Sequence, residues 1–307
     1  MTSPVDALAA FGVGGDAPSG TVATMHQRLG PALVDHRGRI ELAAYAVLVD
    51  TVGGGPFVVA TGPDRGVVQA RLAFATAGDP IEPEGLLTAE ATLRDDGGQF
   101  GLTTVEVTDP AGRLRGSVLV RNARTGRVFD PDLLARGRDP QGADAGRAVP
   151  DTLGTATDAP PRIDPALTGA QVVEAVAGGR LASGPLAELL ALSITPGDPA
   201  RGLGPGVVCT PAPWMANPLG TMHGGVIAAI VAHGCSLAGQ AHTAPGQTHT
   251  ITDFAVDFFR SPPLDAGDLL VTTRPERIGR RLGAVSATFT QADGTLLASA
   301  TANVRFG

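Results

Sequence analysis

Residues 217–225 read Asn-Pro-Leu-Gly-Thr-Met-His-Gly-Gly and run directly into Val-Ile-Ala-Ala-Ile-Val-Ala. This is a polar, glycine-rich turn entering an apolar helix. The first N–H groups of a helix have no intrahelical acceptor, and they sit at the positive end of the helix dipole. Gly224 and Gly225 let another group approach that backbone closely. Asn217 adds a side-chain amide, and His223 stands beside the glycines. Such a turn suits an anion, or a carbonyl oxygen that is becoming one. The same residues also fit a plain tight turn, with His223 as a cap.

A helix that presents this turn must be held by other elements, and an internal repeat indicates which ones. Leu86-Leu87-Thr-Ala-Glu-Ala-Thr-Leu-Arg94 resembles Leu269-Leu270-Val-Thr-Thr-Arg-Pro-Glu-Arg277, a shift of 269 − 86 = 183. Upstream, Glu41 to Asp50 lies against His223 to Ala232, and Asp35-His-Arg-Gly38 against Asn217-Pro-Leu-Gly220, both at a shift of 182. Each half then has one order. A short strand (21–25; 207–210) leads to an apolar helix (about 41–52; about 224–239). Strands follow near 66–76, 85–94, 100–108 and 114–122, and in the second half near 249–260, 267–277, 283–291 and 295–305. Alternation in Ala284-Val-Ser-Ala-Thr-Phe-Thr marks a strand, and Ala111-Gly112 and Asp293-Gly294 mark hairpin turns. The plan is α+β: antiparallel strands curved around a helix that is apolar nearly all round and therefore buried.

The segmentation expected from this pattern is a loosely held N-terminus at 1–19, a first unit at 20–124, a linker at 125–165 and a second unit at 166–307. Residues 125–165 are rich in Arg, Asp, Pro, Gly and Ala without periodicity. Residues 167–178 and 185–194 are apolar enough for helices.

Bulk composition narrows the function class. The 307 residues are 43% hydrophobic but only 4% aromatic, so the core rests on aliphatic side chains. A net charge of −7 argues against a nucleic-acid binder, which needs a basic face. Every basic residue is Arg, a compositional bias without functional content. No stretch approaches the roughly 20 apolar residues of a membrane span, and Met-Thr-Ser-Pro-Val-Asp lacks the basic start of a secretory signal. Cys209 and Cys235 have no metal-site spacing, nor do His242 and His249, which fits free thiols in a cytoplasmic protein with neither metal nor cofactor.

Ala212-Pro-Trp-Met-Ala-Asn217-Pro-Leu-Gly220-Thr-Met-His223-Gly224-Gly225 resembles the signature loop of PaaI-type hotdog-fold thioesterases. Phe258-Phe-Arg-Ser-Pro-Pro263 and Ile278-Gly-Arg-Arg-Leu-Gly283 fit that family's strand ends. The resemblance is good over about 180–307 and traceable over about 20–122. It implies two tandem hotdog units, each an antiparallel sheet wrapped around a central helix, and hydrolysis of an acyl thioester, usually acyl-CoA. Hotdog units act in pairs. One supplies the His-Gly-Gly helix start, and the other a helix carboxylate nine residues beyond its own motif His position.

The chain departs from that pattern in a complementary way. Nine residues after His223 comes Ala232, while Glu41 stands at the matching His position of the first half and Asp50 follows nine residues later. The resemblance thus implies one composite site. Asp50 activates water as a general base or, as the alternative, attacks directly as a nucleophile, and Gly224 and Gly225 hold the oxyanion with Asn217 assisting. The mirror site, with Ala232 opposite Asp35, Glu41 and Leu42, is expected to be dead. Gln69, on the next strand, is a secondary candidate for placing the water. Burial among Val47, Leu48, Val49 and Val52 should raise the Asp50 pKa. Arg260, Arg280 and Arg281 are candidate contacts for CoA phosphates. His233 becomes a substitute base if the repeat slips by one residue. The alternatives are an acyl-thioester binder without catalysis and an enoyl-thioester hydratase or dehydratase. A homo-oligomer of double units fits either case.

Overall fold

A computed structural model describes residues 5–62, 65–130, 132, 147–149, 160 and 162–307. The first half contains a short helix α1 (Ala7–Ala10), strands β1 (Val13–Gly15) and β2 (Val22–Leu29), and the long helix α2 (Leu42–Thr61). Strands β3 (Val67–Thr76), β4 (Gly85–Asp96), β5 (Phe100–Thr108) and β6 (Leu114–Arg124) complete it. The second half opens with helices α3 (Gly169–Ala177) and α4 (Pro185–Leu189) and strands β7 (Leu192–Thr195) and β8 (Gly206–Cys209). Helix α5 (Gly224–Gln240) and strands β9 (His249–Phe258), β10 (Leu269–Ile278), β11 (Leu282–Gln291) and β12 (Leu296–Phe306) follow.

The strands form one antiparallel sheet in the order β1-β2-β4-β5-β6-β3-β9-β12-β11-β10-β8-β7. Read from its centre outward, the order is the same in both halves. The halves join where β3 pairs with β9, and Ala73 lies opposite Ala255, its own copy at 255 − 73 = 182. Phe74 pairs with Phe254 and Leu72 with Val256 on either side, so a pseudo-twofold axis passes through this point. Each half is a hotdog unit, with its strands curved around α2 or α5.

The two helices pack on each other at the centre. Sixteen of the seventeen residues of α5 are buried, which matches a sequence apolar on every side. A Cβ at Gly225 would stand 2.6 Å from the Val47 Cα, so only glycine permits this approach of the helices. Helix α2 by itself is long and apolar enough to cross a membrane, but 78% of its most apolar window is buried in the fold. The sequence-based view that no such segment exists therefore needs correcting, and the sheet supplies the apolar surroundings.

Three other expectations change. Helix α2 does not stop near 52 but continues through Gly53-Gly54-Gly55-Pro56 to Thr61. Its glycines answer to packing, since a Cβ at Gly53 would come 2.7 Å from Val120 Cγ2. Residues 5–19 are not loose. Ala7, Phe11 and Val13 are fully buried, and β1 pairs with β2. Within 185–194 the helix ends at Leu189 and Leu192–Thr195 is a strand on β8. Most of the segment expected as a linker lies outside the described residues; Arg147 within it pairs with Gly15.

Candidate active site at the start of the second central helix

The loop before α5 is a small closed unit. Gly220 has φ 77°, a left-handed conformation that suits glycine. The Asn217 N–H donates to Thr221 O at 2.7 Å and the Gly220 N–H to Asn217 O at 2.9 Å. Met222 and His223 are tied by their N–H groups to Pro262 O and Met215 O. The Asn217 side chain holds the turn together: its Oδ1 accepts from the Leu219 and Thr221 N–H groups, and its Nδ2 donates to Thr221 Oγ1 and Met222 O. Its amide donors are thus engaged inside the loop. Asn217 shapes the site, which differs from the expectation of an oxyanion donor.

His223 is the N-cap of α5, and its Nδ1 accepts from the Gly225 N–H at 3.1 Å. The Gly224 N–H occupies the first helical position, where no intrahelical acceptor exists. Against this helix start lies Asp50 of α2. Its Oδ2 is 3.2 Å from His223 Nδ1, and a Cβ on Gly224 would fall 2.9 Å from its Oδ1. Any side chain at 224 would push the carboxylate away.

Burial sets the charge states. Asp50 is 3% exposed, and its Oδ1 has no hydrogen-bond partner. Desolvation pushes its carboxyl up to about 7, opposed by the Gly225 N–H. Desolvation pushes His223 down to about 4, opposed by the charge of Asp6. The imidazole is therefore neutral near pH 7, and its contact with Asp50 is a hydrogen bond, not an ion pair. One ring nitrogen serves two neighbours, so the bond depends on protonation. A protonated Asp50 donates to Nδ1. An ionised Asp50 accepts from an Nδ1–H tautomer and from the Gly225 N–H, which also faces the carboxylate.

Gln69 of β3 meets the same point. Its Nε2 donates to the Asp50 backbone carbonyl at 3.2 Å and packs where a Cβ on Gly54 would stand only 2.4 Å away. Asp50, Gln69, Asn217, His223 and Gly224 all line one cavity of about 330 Å³. The remaining wall is largely apolar and includes Met25, Val58, Val67, Leu219 and Phe258. Asp6 and Arg147 also line it, joined by two hydrogen bonds of 2.8 Å. Sequence reasoning missed this pair. It stands in segments without periodicity, far apart in the chain.

The candidate phosphate contacts separate. Arg260 follows Phe258 and Phe259 and adjoins Ser261 at the cavity. Arg281 lies beside Phe306, which pairs with His249 at the opposite end of β9 from Phe258. Nine residues of strand make that about 30 Å, so Arg280 and Arg281 do not share a site with Asp50.

The pseudo-symmetric position is filled. Arg37 bonds Glu41 at 2.9 Å, the Asp35 Oδ2 at 2.8 Å and the His249 carbonyl at 2.9 Å. Ser236 Oγ lies 3.2 Å from His249 Nε2. Burial raises Asp35, but the charges of Arg37 and His36 outweigh it and hold the carboxyl well below its usual range. His233 faces this cluster rather than the large cavity, and burial pushes it down to about 4. A cavity of about 30 Å³ lies on the far side of Glu41, bounded also by Leu42 and Tyr45.

Comparison with known proteins bears on this geometry. Residues 219–298 match the model of the thioesterase superfamily. No curated protein matches the sequence. Among solved structures, a tesB protein of Mycobacterium avium subspecies paratuberculosis aligns over 100% of both chains, with a TM-score of 0.58 and 12% identity. A hotdog-fold protein of Alicyclobacillus acidocaldarius aligns over 98% of this chain and 97% of its own, with a TM-score of 0.57 and 14% identity. An acyl-CoA thioesterase II of Mycobacterium marinum aligns over 92% and 91%, with a TM-score of 0.53 and 13% identity. The full-length alignments agree with the doubled strand order, and the superfamily match begins within the loop, at Leu219, and includes His223 and Gly224. The chain is a tandem hotdog protein whose second unit matches the thioesterase superfamily.

Proposed function

We propose that this protein hydrolyses acyl thioesters, acyl-CoA or an acyl-carrier protein, at one composite site between its two halves. The observation that carries the reading is the buried Asp50 carboxyl of α2 set against the start of α5, where the Gly224 N–H has no intrahelical acceptor, within a largely apolar cavity. Neither half contains both parts.

The thioester carbonyl oxygen lies against the Gly224 N–H, where the helix start stabilises developing negative charge. A donor so placed is worth about 3 kcal/mol of barrier. Ionised Asp50 takes a proton from a water whose oxygen bonds to the carbonyl carbon. The tetrahedral intermediate collapses, the C–S bond breaks, and the proton held on Asp50 passes to the departing sulfur. The products are a carboxylic acid and a thiol. His223 orients Asp50, and Gln69 holds the turn of α2 that carries it. Arg260, next in sequence to the cavity-lining Ser261, is a candidate for a substrate phosphate.

The test is thiol release from a series of acyl-CoA substrates by the purified protein and by Asp50→Asn. Turnover by the parent, lost in the variant while substrate still binds, supports the reading. Binding without turnover in the parent would make it an acyl-thioester binder. Hydration of an enoyl thioester without thiol release would make it a hydratase.

A further inference from the structure

The loop that presents His223 is also held from outside, by residues that follow the first repeat. Strand β6 ends at Arg124, and the chain continues past the cavity. The Arg127 guanidinium donates to the Leu219 carbonyl, and the Asp130 N–H donates to the Pro218 carbonyl at 2.8 Å. Two consecutive carbonyls of the Asn217–Gly220 turn are thus held by one short segment. Val128 within it is 61% exposed, while Phe129 lines the cavity.

The same segment is fixed to the strand that carries Gln69. Gly66, just ahead of β3, donates its N–H to the Arg127 carbonyl at 2.6 Å, and its own carbonyl accepts from the Thr125 N–H at 2.9 Å. A Cβ on Gly66 would stand 2.9 Å from the Arg127 carbonyl oxygen and 2.9 Å from Leu219 Cδ2. Strand, segment and loop meet there because position 66 has no side chain. A path of bonds therefore runs from the Asp50 carbonyl to Gln69, along β3 to Gly66, across to Arg127 and on to Leu219 in the turn that leads to His223. It links the carboxyl-bearing helix of the first half to the helix start of the second.

The mirror turn is built otherwise. Arg37, the counterpart of Leu219 at 219 − 37 = 182, holds its own turn from within by bonding Asp35 and Glu41. At the open cavity the matching residue is the apolar Leu219, which lines the wall and cannot brace the turn with its side chain. We propose, building on the hydrolase reading above, that Arg127 is a positioning residue for thioester hydrolysis: through the Leu219 carbonyl it fixes where the Gly224 N–H stands relative to Asp50. These two groups sit on different helices, and a misplacement of about 1 Å between reacting groups costs on the order of 10²-fold in rate. A bond from a guanidinium is charge-assisted and stronger than one between neutral groups, so Arg127 suits the task.

The experiment compares the parent with Arg127→Met, Arg127→Lys and Gly66→Ala. Amide exchange over 217–223 is followed by mass spectrometry, which needs no turnover, and kcat and KM are measured with an acyl-CoA. In Arg127→Met the amides of Leu219, Gly220 and Thr221 should exchange about ten-fold faster, the effect of one lost hydrogen bond from a charged donor. The kcat should fall about ten-fold with KM little changed, the mark of an interaction that matters in the transition state. The melting temperature should drop by only about 2–4 °C. A role confined to holding the fold would lower the melting temperature and leave kcat per folded molecule unchanged. Arg127→Lys, which can still donate to the carbonyl, should recover most of the rate and of the protection. Gly66→Ala, which presses on Leu219 and on the Arg127 carbonyl, should speed exchange and lower kcat together. Parental exchange in Arg127→Met, or faster exchange with an unchanged kcat, overturns the inference while leaving thioester hydrolysis intact. Faster exchange in Arg127→Met when the parent releases no thiol overturns the hydrolase reading and keeps Arg127 as the brace of the loop.

Discussion

Asp50 Oδ2 and His223 Nδ1 meet 3.2 Å apart although they belong to different helices and different halves of the chain. The contact exists because Gly224 and Gly225 have no side chains to keep α2 and α5 apart. It puts a carboxyl group beside the positive end of a helix, in a place dry enough to raise its pKa.

Asp50→Asn keeps the shape of the site and removes the proposed base. Thiol release should fall by about 10² to 10⁴, the usual contribution of general acid–base catalysis. KM should change little, and steady-state kinetics with the best acyl-CoA checks both.

The rate should rise with pH through an apparent pKa of about 7, because Asp50 must be ionised to take a proton and burial holds it protonated below that. Stability should run the other way. In the folded state the group binds a proton that the unfolded chain releases from about pH 4 upward. Its contribution is thus complete below the ordinary value of 3.8 and lost as pH rises through 7. Thermal melts of the parent and of Asp50→Asn should diverge as pH increases, with the variant gaining on the parent. Parallel curves from pH 4 to 8 would contradict the placement of this group.

Gly224→Ala puts a methyl group 2.9 Å from Asp50 Oδ1. Displacing a reacting group by about 1 Å costs on the order of 10²-fold, so activity should drop that far with little change in melting temperature. Gly225→Ala presses on the Val47 backbone at 2.6 Å and should cost about 1–3 kcal/mol of stability as overpacking. Denaturant titration separates the two variants.

Arg37→Met leaves Asp35 and Glu41 buried without their cation. Breaking a buried ionic cluster in this way costs about 3–5 kcal/mol. The folded fraction should keep the parent's rate of thiol release, because Arg37 stands at the filled mirror position, away from the Asp50 cavity. Chemical denaturation and specific activity, measured on the same preparation, check the two statements.

The sequence alone determined the repeat, the succession of helix and strands along each half and the glycine-rich start of α5, because each rests on local patterns. Period-2 alternation, turn residues and an all-apolar helix can be read without partners. The absence of His-Gly-Gly at Glu41 and of an acid at Ala232 was legible too, from the offset between the copies together with the family resemblance that implies where an acid stands. Tertiary structure decided what depends on who packs against whom. It carried α2 past its glycine run because those glycines face Val120 and Pro18. It engaged the Asn217 amide within its own loop, and it sent Arg280 and Arg281 to the far end of the sheet. It filled the mirror position with Arg37, and it folded residues 5–19 over the cavity with Arg147 as a clasp. None of these has a period or a motif, because each is a close approach between segments distant in sequence, set by shape and charge in three dimensions.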